Sequence, residues 1–232
     1  MDGTVAPYLG AAETHIKHGT TSMVPTTLAS SNEDLKNSLG VFRQAKAQNK
    51  KGANLLGLHL EGPYFSMEQR GSQGPRFIRD PDPEEYKRIL EWSDDIIRWS
   101  AAPELSGALE FGRYLKSSGI LASVAHSDAI YGQVQDAFEN GFTHVTYLYF
   151  GMSGVRRINA YRYPGVIESA FIIDEMTVEI IADGVHLPPE LIKMVYKIKG
   201  ADKIVLVTDS MRAAGMPARG NTCWEATKTG KR

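Results

Sequence analysis

Three short apolar runs in this chain each end on a residue able to do acid–base or metal chemistry. Asn54–Glu61 ends on Glu61, Leu121–His126 on His126, and the run beginning at Ile204 leads into Thr208 and Asp209. A fourth run, Val178–Ile181, is followed by Asp183 and His186. A carboxylate and an imidazole that converge can bind a divalent metal and leave a coordination position for water. The metal lowers the pKa of that water, and a carboxylate outside the ligand set can take its proton. Each residue also has a plain structural reading. A lone histidine at a strand end can be a hydrogen-bonding residue, Glu61 before Gly62 and Pro63 can cap a turn, and Asp209 can cap a helix. On the residues alone both readings stay open.

Reactive residues just past the C-terminal ends of apolar strands are how (β/α)8 barrels build their active sites. The spacing predicts strands at 20–25, 54–61, 96–101, 121–126, 143–149, 178–181 and 204–207. Helices are expected at 9–18, from Ser31 to about Asn49, from Asp82 onward, and at 107–117, 130–139, 165–173 and 188–199. Asp82, Pro83, Glu84 and Glu85 form a helix start, with an aspartate cap and proline at the first helical position. Such alternation argues for a parallel α/β sheet. The strand-end residues Thr26, Glu61, Glu104, His126, Tyr147 to Phe150, Asp183, His186 and Asp209 would then ring one mouth. Seven strand units are one short of a closed barrel, and the chain opens on a helix, so the first strand is the one expected to be missing.

The segments 64–82 and 153–164 read as long loops, which in compact domains are usually functional or disordered. Arg76 and Arg79 in the first could pair with an anionic substrate. Arg156, Arg157 and Arg162 in the second suit bidentate phosphate recognition. Trp92, Trp99 and Phe111 are expected in the core. Residues 1–216 are expected to form one partial barrel domain, and 217–232 a poorly ordered polar tail.

The net charge of -1 on 232 residues gives no electrostatic case for nucleic acid or an acidic membrane. The single cysteine, Cys223, excludes an internal disulfide and fits a reducing compartment. With neither a signal-like start nor an apolar run of about 20 residues, a soluble cytoplasmic protein is expected.

The segments His18–Thr27, His59–Pro63, Ala125–Ala129, Ile181–His186 and Val207–Met211, in this order, resemble the signature segments of the N-acetylglucosamine-6-phosphate deacetylase family of the amidohydrolase superfamily. The similarity runs from Met1 to about Met216. It implies a metal-dependent hydrolase of TIM-like (β/α)8 fold, here incomplete and without the small β-sandwich domain. Its reaction would release acetate from N-acetylglucosamine 6-phosphate. One divalent ion is implied, with zinc the best fit and iron, manganese or cobalt as alternatives. So is a homodimer. Glu61 and His126 match two metal ligands, Asp209 the catalytic acid–base residue, His186 a substrate-contacting histidine, and Arg162 an arginine that binds the sugar phosphate. Two positions depart from the family. Tyr147 stands where the third ligand histidine belongs, and Phe150, followed by Gly151, stands where an asparagine helps bind substrate. A neutral phenol is a poor zinc ligand, so weakened metal affinity is expected. On an uninterrupted strand His144 would face away from position 147 and could not replace the missing ligand. The alternatives are a non-catalytic remnant that binds a sugar phosphate or a partner chain, and an amidohydrolase acting on a different amide.

Overall fold

The apolar runs pair into one parallel sheet whose strand order follows the chain: β1 (Thr26–Thr27), β2 (Leu58–Glu61), β3 (Ile96–Ala101), β4 (Leu121–Val124), β5 (Phe142–Val145), β6 (Thr177–Ile181) and β7 (Ile204–Val207). The computed structural model describes residues 3–210 and Ala214. Sequential order with parallel pairing throughout is the winding of a barrel, and the sheet curls as an incomplete one. Among the described residues seven α-helices accompany the strands: α1 (Val5–Lys17), α2 (Asn32–Gln48), α3 (Pro83–Glu91), α4 (Ala108–Ser117), α5 (Tyr131–Glu139), α6 (Val166–Ile172) and α7 (Pro189–Lys199).

Local signals set most helix starts. The Ser31 hydroxyl accepts a bond from the Asp34 amide at 3.1 Å, and the Asp82 carboxylate one from the Glu85 amide at 2.8 Å. Each satisfies an N–H that has no partner inside its helix. Between helices and sheet, Trp99 stacks on Tyr64 at 5.6 Å and meets Phe111 edge-on at 5.1 Å, all fully buried. Trp92 is only partly buried against this core.

Four expectations need correction. The strand anticipated at 54–61 is split into Asn54–Leu55 and Leu58–Glu61, which belong to different sheets. The strand anticipated at 20–25 is split too: Ser22–Met23 pairs with Asn54–Leu55, and the main sheet takes Thr26–Thr27 instead. Pro25 lies between Met23 and Thr26 and lacks the N–H that a continuous ladder would use. The strand anticipated at 143–149 stops at Val145, and Tyr147 and Tyr149 take φ of 52° and 77°, outside any strand. The loop at 153–164 contains a hairpin, Arg156–Ile158 with Tyr161–Tyr163, turning on Asn159 and Ala160 at φ of 48° and 73°. That pair of positive φ values is the turn geometry that matches strand twist. The tail 217–232 lies outside the described residues.

The interior of the curled sheet is polar at its centre. Arg98 on β3 pairs with Glu179 on β6 and donates to His59 Nδ1 at 2.7 Å. A guanidinium only donates, so His59 Nδ1 is an acceptor, and its Nε2–H faces the Ser100 hydroxyl at 2.6 Å. Burial first, then the charge of Arg98, holds the His59 pKa well below its ordinary value and keeps the ring neutral.

Lys199 at the end of α7 is buried and donates to the carbonyls of Ala170, Ile173 and Asp174 at 2.9, 2.9 and 3.2 Å. It caps the chain leaving α6. Lys199→Met keeps the aliphatic stem and strands those carbonyls. The expected cost is about 1.5–3 kcal/mol, read as a lower urea midpoint at unchanged slope. An unchanged midpoint would mean that water takes over the cap. No described helix is long and apolar enough to cross a membrane.

Candidate active site

β2 delivers Glu61 and β4 delivers His126 to the same mouth, where both are buried and His126 Nε2 lies 3.1 Å from Glu61 Oε1. The other ring nitrogen, Nδ1, is 2.8 Å from the Gln69 carbonyl oxygen. A carbonyl only accepts, so Nδ1 carries the proton and Nε2 turns towards the carboxylate. Gly151 packs against the same ring. A β-carbon at Gly151 would stand 2.8 Å from His126 Nδ1, and the residue takes φ of 59°, so glycine is required there twice over.

Glu61 Oε1 also accepts from Gln73 Nε2 at 2.8 Å, while Gln73 Oε1 accepts the Ala29 amide at 2.9 Å. The backbone contact sets the orientation of the side-chain amide. Gln73 comes from the loop after β2, and nothing in its type or position marks it in the sequence beyond the unusual length of that loop.

His126, Tyr147 and Asp209 each sit two residues beyond the last residue of their strands, Val124, Val145 and Val207. Each takes a left-handed φ, 46°, 52° and 45° respectively. Such a backbone is uncommon outside glycine, costs on the order of 1–3 kcal/mol per residue, and clusters at functional sites. The Tyr147 hydroxyl is pushed well above its ordinary pKa, first by burial, then by the charges of Glu61 and Asp209. Asp209 is exposed at the rim, yet its pKa is raised, first by partial desolvation and then by the charge of Glu61.

Past the end of β6, Asp183 lies two residues beyond Ile181 and holds His186, whose ring meets Phe150 edge-on at 5.7 Å. Phe150 also meets the His126 ring at 6.4 Å. Glu61, His126, Phe150 and His186 are thus linked by contacts into one patch, with Gly151 beneath His126 and with Tyr147 and Asp209 sharing the field of Glu61.

Other candidates lie elsewhere. Glu104 accepts from the Ser127 hydroxyl at 2.7 Å and the Asp128 amide at 2.6 Å, a structural role behind His126. The Thr26 hydroxyl is 3.2 Å from His59 Nδ1, within the sheet interior. Arg79 is held by Glu85 at 2.7 and 2.9 Å, which occupies the guanidinium proposed for a substrate anion. Arg156 is likewise held by Asp128. Arg157 and Arg162 face each other across the hairpin, both exposed. Directly opposed like charges disfavour the pairing and would be relieved by a bound anion. His144 bonds the Thr177 hydroxyl at 2.7 Å and approaches Glu179 at 3.9 Å. It stays in the interior, although the strand ends at Val145 and strict alternation does not carry from 144 to 147.

The donor set fits a divalent metal only in part. His126 has the arrangement of a metal-bound imidazole, one nitrogen on a backbone carbonyl and the other facing a carboxylate. The third position does not fit, because the Tyr147 phenol stays neutral. Among the described residues no group of three or more His, Cys, Asp or Glu could hold a metal ion. Glu61 and His126 offer two donors side by side, and Tyr147 adds no third. Tyr147→His restores a nitrogen at a left-handed position that histidine tolerates better than most residues. Zinc affinity, measured by competition with a chromophoric chelator, should rise by about tenfold or more, roughly 1.4 kcal/mol. No gain would place the defect somewhere other than position 147.

A family model described as "Amidohydrolase family" matches residues 6–222. The chain is 38% identical over 204 residues to N-acetylglucosamine-6-phosphate deacetylase of Bacillus subtilis, covering 86% of this chain and 50% of that one. The crystal structure of the N-acetylglucosamine-6-phosphate deacetylase from Pasteurella multocida superposes with a TM-score of 0.83 at 34% identity, covering 92% of this chain and 54% of that one. A Mycobacterium smegmatis mutant of the same enzyme, solved in complex with N-acetyl-D-glucosamine-6-phosphate, gives 0.82 at 31%, covering 93% and 56%. The chain thus spans about half the length of the relatives it matches.

Proposed function

Since this chain belongs to the amidohydrolase family, we propose that its mouth is built to hydrolyse the N-acetyl group of N-acetylglucosamine 6-phosphate, giving acetate and glucosamine 6-phosphate. One observation carries the reading: three non-glycine residues, His126, Tyr147 and Asp209, take a left-handed backbone at equivalent strand ends around Glu61. Strain repeated at one mouth is what an active site retains and a merely structural rim does not need.

Asp209 is the proton carrier. It takes a proton from the water that attacks the acetyl carbon and returns it to the departing amine nitrogen. Its raised pKa brings it nearer to neutrality, where a carboxylate can perform both transfers. His186 holds the sugar or the acetyl oxygen, Phe150 and Gly151 line the pocket, and Arg162 binds the 6-phosphate. Deacetylases of this family generally depend on a divalent metal. Zinc suits the pair of Glu61 and His126 best. A homodimer belongs to this reading through the family.

Tyr147 favours a second reading, a chain that binds the sugar phosphate without turning it over. Metal content and acetate release, measured together on the chain supplied with zinc, separate the two. About one metal per chain with acetate release supports the enzyme. A folded chain with neither, yet binding the sugar phosphate, supports the second. Under either reading Arg162→Ala should weaken binding of N-acetylglucosamine 6-phosphate by about tenfold or more, the worth of a charged hydrogen bond, and leave N-acetylglucosamine unaffected. Equal losses for both sugars would remove Arg162 from the phosphate site.

A further inference from the structure

His186 is exposed at the mouth, yet its ring is not free to turn. Asp183 Oδ2 meets its Nδ1 at 2.7 Å, while Asp183 Oδ1 accepts the backbone amides of Val185 at 2.9 Å and His186 at 2.8 Å. The intervening Gly184 takes φ of 77°, which lets the chain fold back on the carboxylate. The Phe150 ring stands edge-on to the imidazole. Both oxygens of one short carboxylate are thus engaged by one histidine and the turn that carries it. The Asp183 pKa is pushed down to about 2, first by the His186 side chain and then by the two amides, so it is an anion near neutral pH.

We propose that Asp183 is a positioning residue that sets the tautomer of His186, so that Nε2, with its lone pair, is the atom turned to the ligand. An ionised carboxylate accepts and never donates, so the Nδ1 it faces must carry the proton. Neutral His186 then presents Nε2 as an acceptor, suited to a sugar hydroxyl or to the amide N–H of an N-acetyl group. Protonated His186 presents a donor, suited to a phosphate or carbonyl oxygen. The identity of that ligand rests on the deacetylase reading. The tautomer does not.

Asp183→Asn separates this role from a structural one. The two backbone amides require the asparagine oxygen at the Oδ1 position, so its NH2 group must take the place of Oδ2. That group donates to Nδ1, which loses its proton to Nε2. The turn survives and the tautomer inverts, the same logic by which a carboxylate-to-amide change disables a catalytic triad. The readout is nitrogen NMR of histidine-labelled protein at about pH 8.5, where an ordinary histidine is neutral. The His186 signal is assigned by its loss in His186→Ala. The wild-type chain should show Nδ1 protonated, and Asp183→Asn should show Nε2 protonated at an unchanged melting temperature. Affinity for N-acetylglucosamine 6-phosphate should fall by about tenfold or more in Asp183→Asn. A wild-type chain protonated at Nε2, or an Asp183→Asn chain still protonated at Nδ1, overturns the proposal. If the tautomer inverts as stated and the chain never binds or turns over the sugar phosphate, the positioning role stands and the deacetylase reading fails.

Discussion

Asp209→Asn is expected to lower acetate release from N-acetylglucosamine 6-phosphate by about 10²–10⁴-fold, the usual contribution of a positioned acid–base group. The replacement suits the test. Asp209 holds φ of 45°, and asparagine is one of the few residues that accept a left-handed backbone as readily as aspartate. The side chain is exposed, so the loss of charge leaves no buried orphan. Melting temperature and bound metal should therefore match the parent chain, and the loss should fall on kcat rather than KM. Turnover within a few-fold of the parent would remove Asp209 from the chemistry. The pH profile gives a second check. A base must be ionised, and partial desolvation with the nearby Glu61 raises the pKa of Asp209. Activity should fall as pH drops through a value above the ordinary aspartate 3.8, with the acid limb displaced upward. That limb should vanish from any residual activity of Asp209→Asn.

The second large effect concerns stability. Arg98 and Glu179 bridge β3 to β6 through the interior of the open sheet, with side chains 13% and 4% exposed. Arg98→Met retains the apolar stem and leaves Glu179 a buried carboxylate without its cation, and it takes from His59 Nδ1 its guanidinium donor. Breaking one side of such a pair costs about 3–5 kcal/mol, visible as a lower denaturant midpoint at neutral pH. Arg98→Met combined with Glu179→Gln should recover much of that loss, since removing both charges also removes the desolvation penalty. Recovery in the double variant is the discriminating result. If the double variant is as unstable as the sum of the singles, the bridge does not act as a pair. Burial opposes ionisation of Glu179, but His144 and Arg98 more than offset it and leave its pKa below the ordinary 4.5. The contribution of Glu179 is therefore complete above that value and is lost as pH falls through the lower folded one.

The type and order of the elements are legible in local residue patterns. Apolar runs of four to six residues, a serine cap at Ser31 and the Asp82–Pro83 start act within one or two turns of chain, so the patterns that produce them are visible locally. The parallel sheet followed from alternation, and Glu61, His126 and Asp209 could be named because a strand-end position is itself a sequence position. What remains depends on contacts between distant segments. Tyr147 and Leu148 are strand-like by residue type, yet the strand ends at Val145 and Tyr147 takes a left-handed φ of 52°, which no strand accommodates. By type alone Arg79 and Arg156 could bind an anion, but Glu85 of α3 holds the first and Asp128 the second. Gln73, Arg98 and Glu179 carried no signal, because their partners lie 12 residues away in Glu61 and 81 residues apart across the sheet. A composition pattern records which face of an element is apolar. Which polar groups meet, and which residues are forced into a left-handed backbone to meet, depends on how the sheet curls and brings distant strand ends together.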